Sequence, residues 1–314
     1  MQSFPPFPLS VFSTEPQSFT PAESAYFDFY NIHFTKAAGQ PLQHNFGYLI
    51  LSSFSIATHL YTSKAFTKTA VINHGYMDHS GLYNHLIKAL LEAEYNVLVY
   101  DHPGHGLSSG EQAGIQSYQD FQQVLSELLD KLENKLPKPW SVIGQSMGGA
   151  ISADFVLHNT QHQFNKCVLL APLVTPKHWS TIKVQYQGLK HLVNGVPRKF
   201  RDSSLDKDFL QFLAHNDPLQ TKQIRTSWVK SLIEWQDHIL ASYPSKMPTL
   251  LIQGDNDNTI DWRYGLEVYK EKFTQLEIVI LASANHHLVC ETPILRDKAI
   301  GAAIRFLDHS IIQP

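Results

Sequence analysis

The sequence predicts an α/β protein: a mostly parallel sheet with helices on both faces and an inserted group of helices. Three observations carry that prediction. Short β-branched runs alternate with segments of helical apolar spacing along most of the chain. One strand-to-strand connection, residues 171–248, far exceeds the roughly 2–6 residues of an ordinary α/β link. The run Val142-Ile143-Gly144-Gln145-Ser146-Met147-Gly148-Gly149-Ala150 sets a G-x-S-x-G sequence between a short strand and a small-residue helix start.

In chain order, residues 1–25 read as an extended arm, because Met1 to Pro21 is proline-rich and has no Lys or Arg. From about residue 26 the aromatic residues alternate (Phe27, Phe29 and His33 against Tyr30, Ile32 and Phe34), which predicts a leading strand, followed by strands at 46–50 and 56–61. The parallel strands are expected at 70–73, 96–100, 140–143, 167–170, 249–253 and 276–281. Between them fall helical stripes such as Leu82, Leu86 and Leu90; Phe121, Leu125, Leu128 and Leu132; and Trp262, Leu266, Tyr269 and Phe273. The last helix opens at Thr292-Pro293, a cap residue followed by proline at the first helical position. Residues 176–245 read as a helical cap over the carboxyl edge of the sheet, where α/β proteins bind ligands, with 26–175 and 246–314 forming the core. Trp179, Trp228 and Trp235 in that cap are expected either to seat it on the core or to wall a binding site.

Composition narrows the function classes. A formal charge of −3 over 314 residues, with scattered Lys and Arg, provides no basic field and argues against nucleic acid. The two cysteines, Cys167 and Cys290, lie in apolar stretches without C-x-x-C spacing and read as buried reduced thiols. No stretch approaches the roughly 18 apolar residues of a membrane span, so a cytoplasmic location without a transmembrane segment is expected. The 17 histidines include no H-E-x-x-H and no paired Cys/His set, so neither a catalytic metal nor an organic cofactor is expected.

The chemistry centres on Ser146. Gly144 and Gly148 lack the Cβ atoms that would crowd a sharp strand-to-helix turn, and the turn raises Oγ above the sheet edge. A serine hydroxyl is a poor nucleophile at neutral pH, so it needs a base and a third group that orients the base. The acid is expected after the strand 249–253, where Asp255, Asp257 and Asp261 compete. Asp257 is favoured because a short turn after Gly254 can aim it back, whereas Asp261 suits the cap of the next helix. The base is expected after the last strand, at His286 or His287, with His286 favoured. Two backbone donors must face a developing oxyanion: Met147, after the nucleophile, and Tyr76 or Met77 in the loop after the third strand, where His74 and Gly75 shape the approach.

Four segments of the chain resemble the serine hydrolases of the α/β-hydrolase fold, in the branch of monoacylglycerol lipases and lysophospholipase L2-like proteins. They are His74-Gly75-Tyr76-Met77-Asp78-His79-Ser80-Gly81-Leu82-Tyr83, with Asp78 where the branch usually has Glu, and Asp101-His102-Pro103-Gly104-His105-Gly106-Leu107-Ser108-Ser109-Gly110. The third is the elbow Gly144-Gln145-Ser146-Met147-Gly148-Gly149, with Gln145 where relatives carry His, a change expected to matter little. The fourth joins Gly254-Asp255-Asn256-Asp257 to His286-His287-Leu288-Val289-Cys290-Glu291. The resemblance implies an eight-stranded α/β-hydrolase sheet with a helical cap. It also supports Asp257 and His286 over their neighbours, and implies hydrolysis of acyl esters such as monoacylglycerols, lysophospholipids or small esters. The alternative is an aminopeptidase or amidase with Glu234 or Asp237 binding a substrate ammonium; a catalytically silent binding module is a third possibility.

Overall fold

The computed structural model describes residues 7–309. Eight strands form one sheet: β1 (Gln43–Leu51), β2 (Phe54–Thr62), β3 (Lys68–Asn73), β4 (Tyr95–Tyr100), β5 (Trp140–Gln145), β6 (Phe164–Leu170), β7 (Thr249–Gly254) and β8 (Leu276–Leu281). Their spatial order is β1-β2-β4-β3-β5-β6-β7-β8, antiparallel at β1-β2 and β2-β4 and parallel elsewhere. This is the α/β-hydrolase sheet. The order reverses between β3 and β5, so the loops leaving those two strands open a crevice at their carboxyl ends.

Strand alternation divides the core between the two faces. Val71, Leu98, Val142 and Leu251 point to one side, with helices α3 (Gln119–Leu132), α4 (Met147–His158) and α8 (Trp262–Lys272). Ala70, Ile72, Val97, Val99, Ile143 and Ile252 point to the other, with α1 (Pro21–Tyr30), α2 (Asn84–Glu92) and α9 (Pro293–Asp308). A strand buried on both faces needs an apolar run, which residues 97–100 of β4, 167–170 of β6 and 250–252 of β7 provide.

The amino-terminal expectation needs two corrections. The predicted strand from residue 26 is the carboxyl half of α1, and the extended arm ends at Thr20 rather than at residue 25. Thr20 Oγ1 accepts from the Glu23 amide, the Glu23 carboxylate accepts from the Thr20 amide, and Pro21 occupies the first helical turn. Tyr26, Phe27 and Tyr30 then share one buried helical face. Aromatic residues this dense satisfy a period of two as well as a period of 3.6, so the capping box decides. Of the arm, residues 1–6 lie outside the described residues. Beyond them, Ser10 and Phe12 exchange backbone hydrogen bonds with Tyr48 on the edge strand β1, partly covering that edge.

Between β6 and β7 the chain forms α5 (Trp179–Leu189), α6 (Lys207–Gln211), α7 (Thr226–Ala241) and a small two-stranded antiparallel sheet pairing Gly195–Pro197 with Gln223–Arg225. The stripe Trp228, Val229, Leu232, Trp235 and Ile239 makes α7 part of the core, with the Trp235 ring stacked on Tyr118 at 4.8 Å. Helix α5 buries only Trp179 and leaves Val184 exposed. No helix among the described residues is long and apolar enough to cross a membrane.

Candidate active site

At the end of β5 the backbone turns through Ser146 at φ 55° and ψ −116°, a left-handed conformation that a non-glycine residue holds only when its surroundings enforce it. They do so by close packing. A Cβ at Gly148 would stand 2.0 Å from the Asn73 carbonyl oxygen, and one at Gly144 would stand 2.2 Å from that of Gly148. Ser146 N–H donates to the Leu170 carbonyl at 2.8 Å, tying the turn to β6. Helix α4 starts immediately after, so its positive end lies beside the serine.

The structure brings Ser146, His286 and Asp257 together. His286 Nε2 lies 2.8 Å from Ser146 Oγ, and His286 Nδ1 lies 2.7 Å from Asp257 Oδ2. A carboxylate only accepts, so Nδ1 carries the proton and Nε2 is left to accept from the serine hydroxyl. Asp257 also accepts from Gln253 Nε2 at 3.0 Å and from the Thr259 and Ile260 amides at 2.8 and 3.2 Å. Burial works to raise its carboxyl pKa, but the interaction with His286 and these hydrogen bonds outweigh it and hold the group below the usual carboxylate range. All three residues are buried, with Ser146 at 9% exposure.

The competing residues have other partners. Asp261 caps α8 through the Tyr264 amide, and exposed Asp255 accepts from the Ser283 amide. His287 turns away and meets Asp78 Oδ2 at 2.9 Å. Burial opposes charge on that imidazole, but Asp78 overcomes it and raises the His287 pKa well above the ordinary value. Asp78 in turn is held below the usual carboxylate range against the pull of its own burial.

The loop after β3 is fastened on several sides. Gly75 N–H donates to Tyr83 Oη at 2.9 Å and to Asp78 Oδ2 at 3.2 Å. His74 Nδ1 meets the Gly75 carbonyl at 2.8 Å while Nε2 accepts from the His102 amide at 2.9 Å, an arrangement that selects the neutral ring; burial lowers its pKa in the same direction. Tyr76 lies within the Gly75–Asp78 turn, and its ring stacks on Trp228 at 3.8 Å and 10°. Met147 opens α4, so its N–H is among the first-turn donors that no intrahelical carbonyl satisfies.

Three contributions were not visible in the sequence. Gln145 Nε2 donates to the His286 carbonyl at 2.9 Å, so the residue expected to matter little holds the histidine loop. Glu291, fully buried, accepts from the Asn285 amide at 2.7 Å and the Leu205 amide at 3.0 Å, joining that loop to the insertion. Asp217 of the insertion accepts from Tyr30 Oη at 2.6 Å and pairs with His79 at 3.0 Å. Only the motif position of Glu291 hinted at any of these. Glu234 and Asp237 lie on the exposed face of α7, where Glu234 pairs with Lys230 at 3.5 Å.

Comparison with known proteins places the chain in a family. Residues 65–293 match the family described as "Serine aminopeptidase, S33". The chain is similar to the monoglyceride lipase of Rattus norvegicus, 29% identical over 76% of this chain and 82% of that one. It is also similar to phospholipase YtpA of Bacillus subtilis, 23% identical over 77% and 95% of the two chains. In fold it resembles a soluble variant of monoglyceride lipase from Saccharomyces cerevisiae, with a TM-score of 0.70 at 16% identity over 88% of this chain and 96% of that one. The chain therefore belongs to the family described as serine aminopeptidase S33, within its monoglyceride-lipase-like branch of the α/β-hydrolases.

Proposed function

We propose that Ser146, His286 and Asp257 are the catalytic triad of this protein, and that its substrates are lipid acyl esters, monoacylglycerols before lysophospholipids. The protein is a carboxylic-ester hydrolase. Ser146 Oγ attacks the ester carbonyl as His286 Nε2 takes its proton, and Asp257 steadies the imidazolium. Backbone N–H groups of Tyr76 and Met147 receive the oxyanion. His286 then protonates the departing alcohol, and water activated by the same nitrogen releases the fatty acid from the acyl-enzyme. The observation that carries this reading is a single imidazole bridging Ser146 and Asp257 at 2.8 and 2.7 Å.

Residues 176–245 act as a cap on the site. The contacts from Trp228 to Tyr76, Asp217 to His79 and Leu205 to Glu291 support this role. Apolar surface on the insertion, including Val184, Leu192 and Phe200, suits an acyl chain, at about 0.8 kcal/mol for each buried methylene. The monoglyceride lipase relatives favour a neutral glycerol head group, and the phospholipase relative keeps the lysophospholipid as second choice. A cytoplasmic location is supported by the two buried free thiols.

The amidase alternative is disfavoured because Glu234 and Asp237 face solvent, and Asp78 and Asp217 are each already paired with histidine. The test is hydrolysis of p-nitrophenyl esters from acetate to palmitate, with monoacylglycerol, lysophospholipid and aminoacyl-anilides alongside and Ser146→Ala as control. Serine-dependent ester turnover that peaks at one chain length is expected. Anilide cleavage without ester turnover would overturn the reading.

A further inference from the structure

Away from the triad, at the far end of α4, lie three groups that catalysis does not use. Asp154 sits inside α4 with 2% of its surface exposed, and its Oδ1 receives no hydrogen bond. His158, one turn later, brings Nδ1 to 3.0 Å from that oxygen, and His238 of the insertion helix α7 brings Nε2 to 3.6 Å. Neither approach has hydrogen-bond geometry to Oδ1; His158 Nδ1 instead meets the Asp154 carbonyl at 3.1 Å. One nitrogen from each ring and the carboxylate oxygen all fall within 4.8 Å of one another.

A buried carboxylate oxygen that receives no hydrogen bond is costly and calls for a cation. The backbone reinforces that demand, because His158 is in the last turn of α4 and His238 in the last turn of α7, so two negative helix ends converge here. Lys272 is the cation nearby, and its charge reaches His158, but its Nζ is held by the Leu240 and Ser242 carbonyls. We propose that Asp154, His158 and His238 form a binding site for a divalent transition-metal ion, Zn2+ by donor chemistry, that clamps the insertion to the helix carrying the nucleophile.

Two imidazoles and one carboxylate are a borderline donor set suited to Zn2+, and water completes a partly exposed site. Zinc bonds of about 2.0–2.1 Å put neighbouring tetrahedral ligands roughly 3.3 Å apart. The carboxylate-to-nitrogen distances of 3.0 and 3.6 Å bracket that value. The rings are stacked at 3.8 Å with 22° between their planes, so binding turns them edge-on to one ion. Side-chain exposures of 31% and 48% leave both rings room to turn. The site has no part in ester chemistry, so its test is separate from the triad's.

Full-length metal-free protein is titrated calorimetrically with Zn2+, beside His238→Gln and Asp154→Asn. Asp154 is buried, so the exposed His238 provides the decisive variant, with circular dichroism and the metal-free unfolding transition reporting that it is native. One Zn2+ per wild-type chain is expected at this site, bound at least about tenfold more weakly in His238→Gln. Zn2+ should raise the Tm of the wild type and not of the variant, and Co2+ should give d–d absorption that the variant lacks. Equal binding by wild type and His238→Gln would assign the metal to other surface histidines and overturn the proposal. Absence of binding to the wild type would overturn it too, leaving a protonated His158 as the partner of Asp154.

Discussion

Two neighbouring histidines, His286 and His287, belong to two buried His–Asp pairs, and only one of those pairs faces a serine. His286 meets Asp257 at 2.7 Å and His287 meets Asp78 at 2.9 Å. The chemistry of the pairs is the same, and their surroundings separate them. The free nitrogen of His286 reaches Ser146 on the elbow after β5, so a proton has somewhere to move. Asp78 instead also takes the Tyr83 hydroxyl and the Gly75 amide, so the His287 pair braces the loop that carries Tyr76. A His–Asp pair is thus a structural part until a nucleophile stands at its other end.

Substituting the two histidines is the strongest way to test that contrast. His286→Ala should lower kcat for a short-chain ester by about 10⁴–10⁶-fold, with a smaller loss of stability than His287→Ala because Asp257 keeps its bonds from Gln253, Thr259 and Ile260, measured by ester turnover and urea unfolding of the same preparation. His287→Ala should do the opposite: by urea unfolding, about 3–5 kcal/mol of stability lost as Asp78 is left buried and unpaired, with turnover of the folded protein kept within about tenfold. A folded but inactive His287→Ala would invert the two roles.

Titration sharpens the comparison. The His287 pKa is raised in the fold, so its stabilisation is complete below the ordinary value of 6.5 and is lost as pH climbs towards the folded value. His59, lowered to about 3, and His74 and His102, lowered well below 6.5, act with the opposite sign: their contribution is present above 6.5 and is lost as pH falls. Each group changes stability by at most about 1.4 kcal/mol per pH unit within its window. Denaturant unfolding across pH should therefore show wild-type stability declining on both sides of neutrality, and His287→Gln should keep the acid limb while flattening the alkaline one. The smallest effect belongs to Gln145. Gln145→Ala removes one hydrogen bond to the His286 carbonyl, worth about 1 kcal/mol, and should cut kcat roughly fivefold with KM unchanged. An unchanged kcat would show that the histidine loop holds itself.

Local signals were legible where one physical cause dominated. Thr292-Pro293 opened α9 as expected, yet the same logic at Thr20-Pro21-Ala22-Glu23 was hidden behind aromatic alternation, and α1 read as a strand. Ser146, Asp257 and His286 stood at strand ends whose order could be read from the chain. Gln145, Glu291 and Asp217 carried no comparable mark, because their partners are distant segments. Several of the 17 histidines are core residues: His44 and His59 stack 5.4 Å apart within an aromatic cluster, and His74 and His102 pack with ring centroids 4.1 Å apart. Burial keeps these rings neutral.

By itself the sequence determined what depends on a few neighbouring residues: the alternation of strands and helices, the glycine-permitted elbow at Ser146, and the proline in the first turn of α9. Only the tertiary structure decided which histidine faces the serine, which aspartate supports it, and that Gln145 holds the loop. The same is true of the meeting of Asp154 and His158 with His238. The reason is distance along the chain. The Ser146–His286 contact spans 140 residues and the Asp78–His287 contact 209, and no local preference can aim two side chains at each other until the sheet has set where their loops emerge.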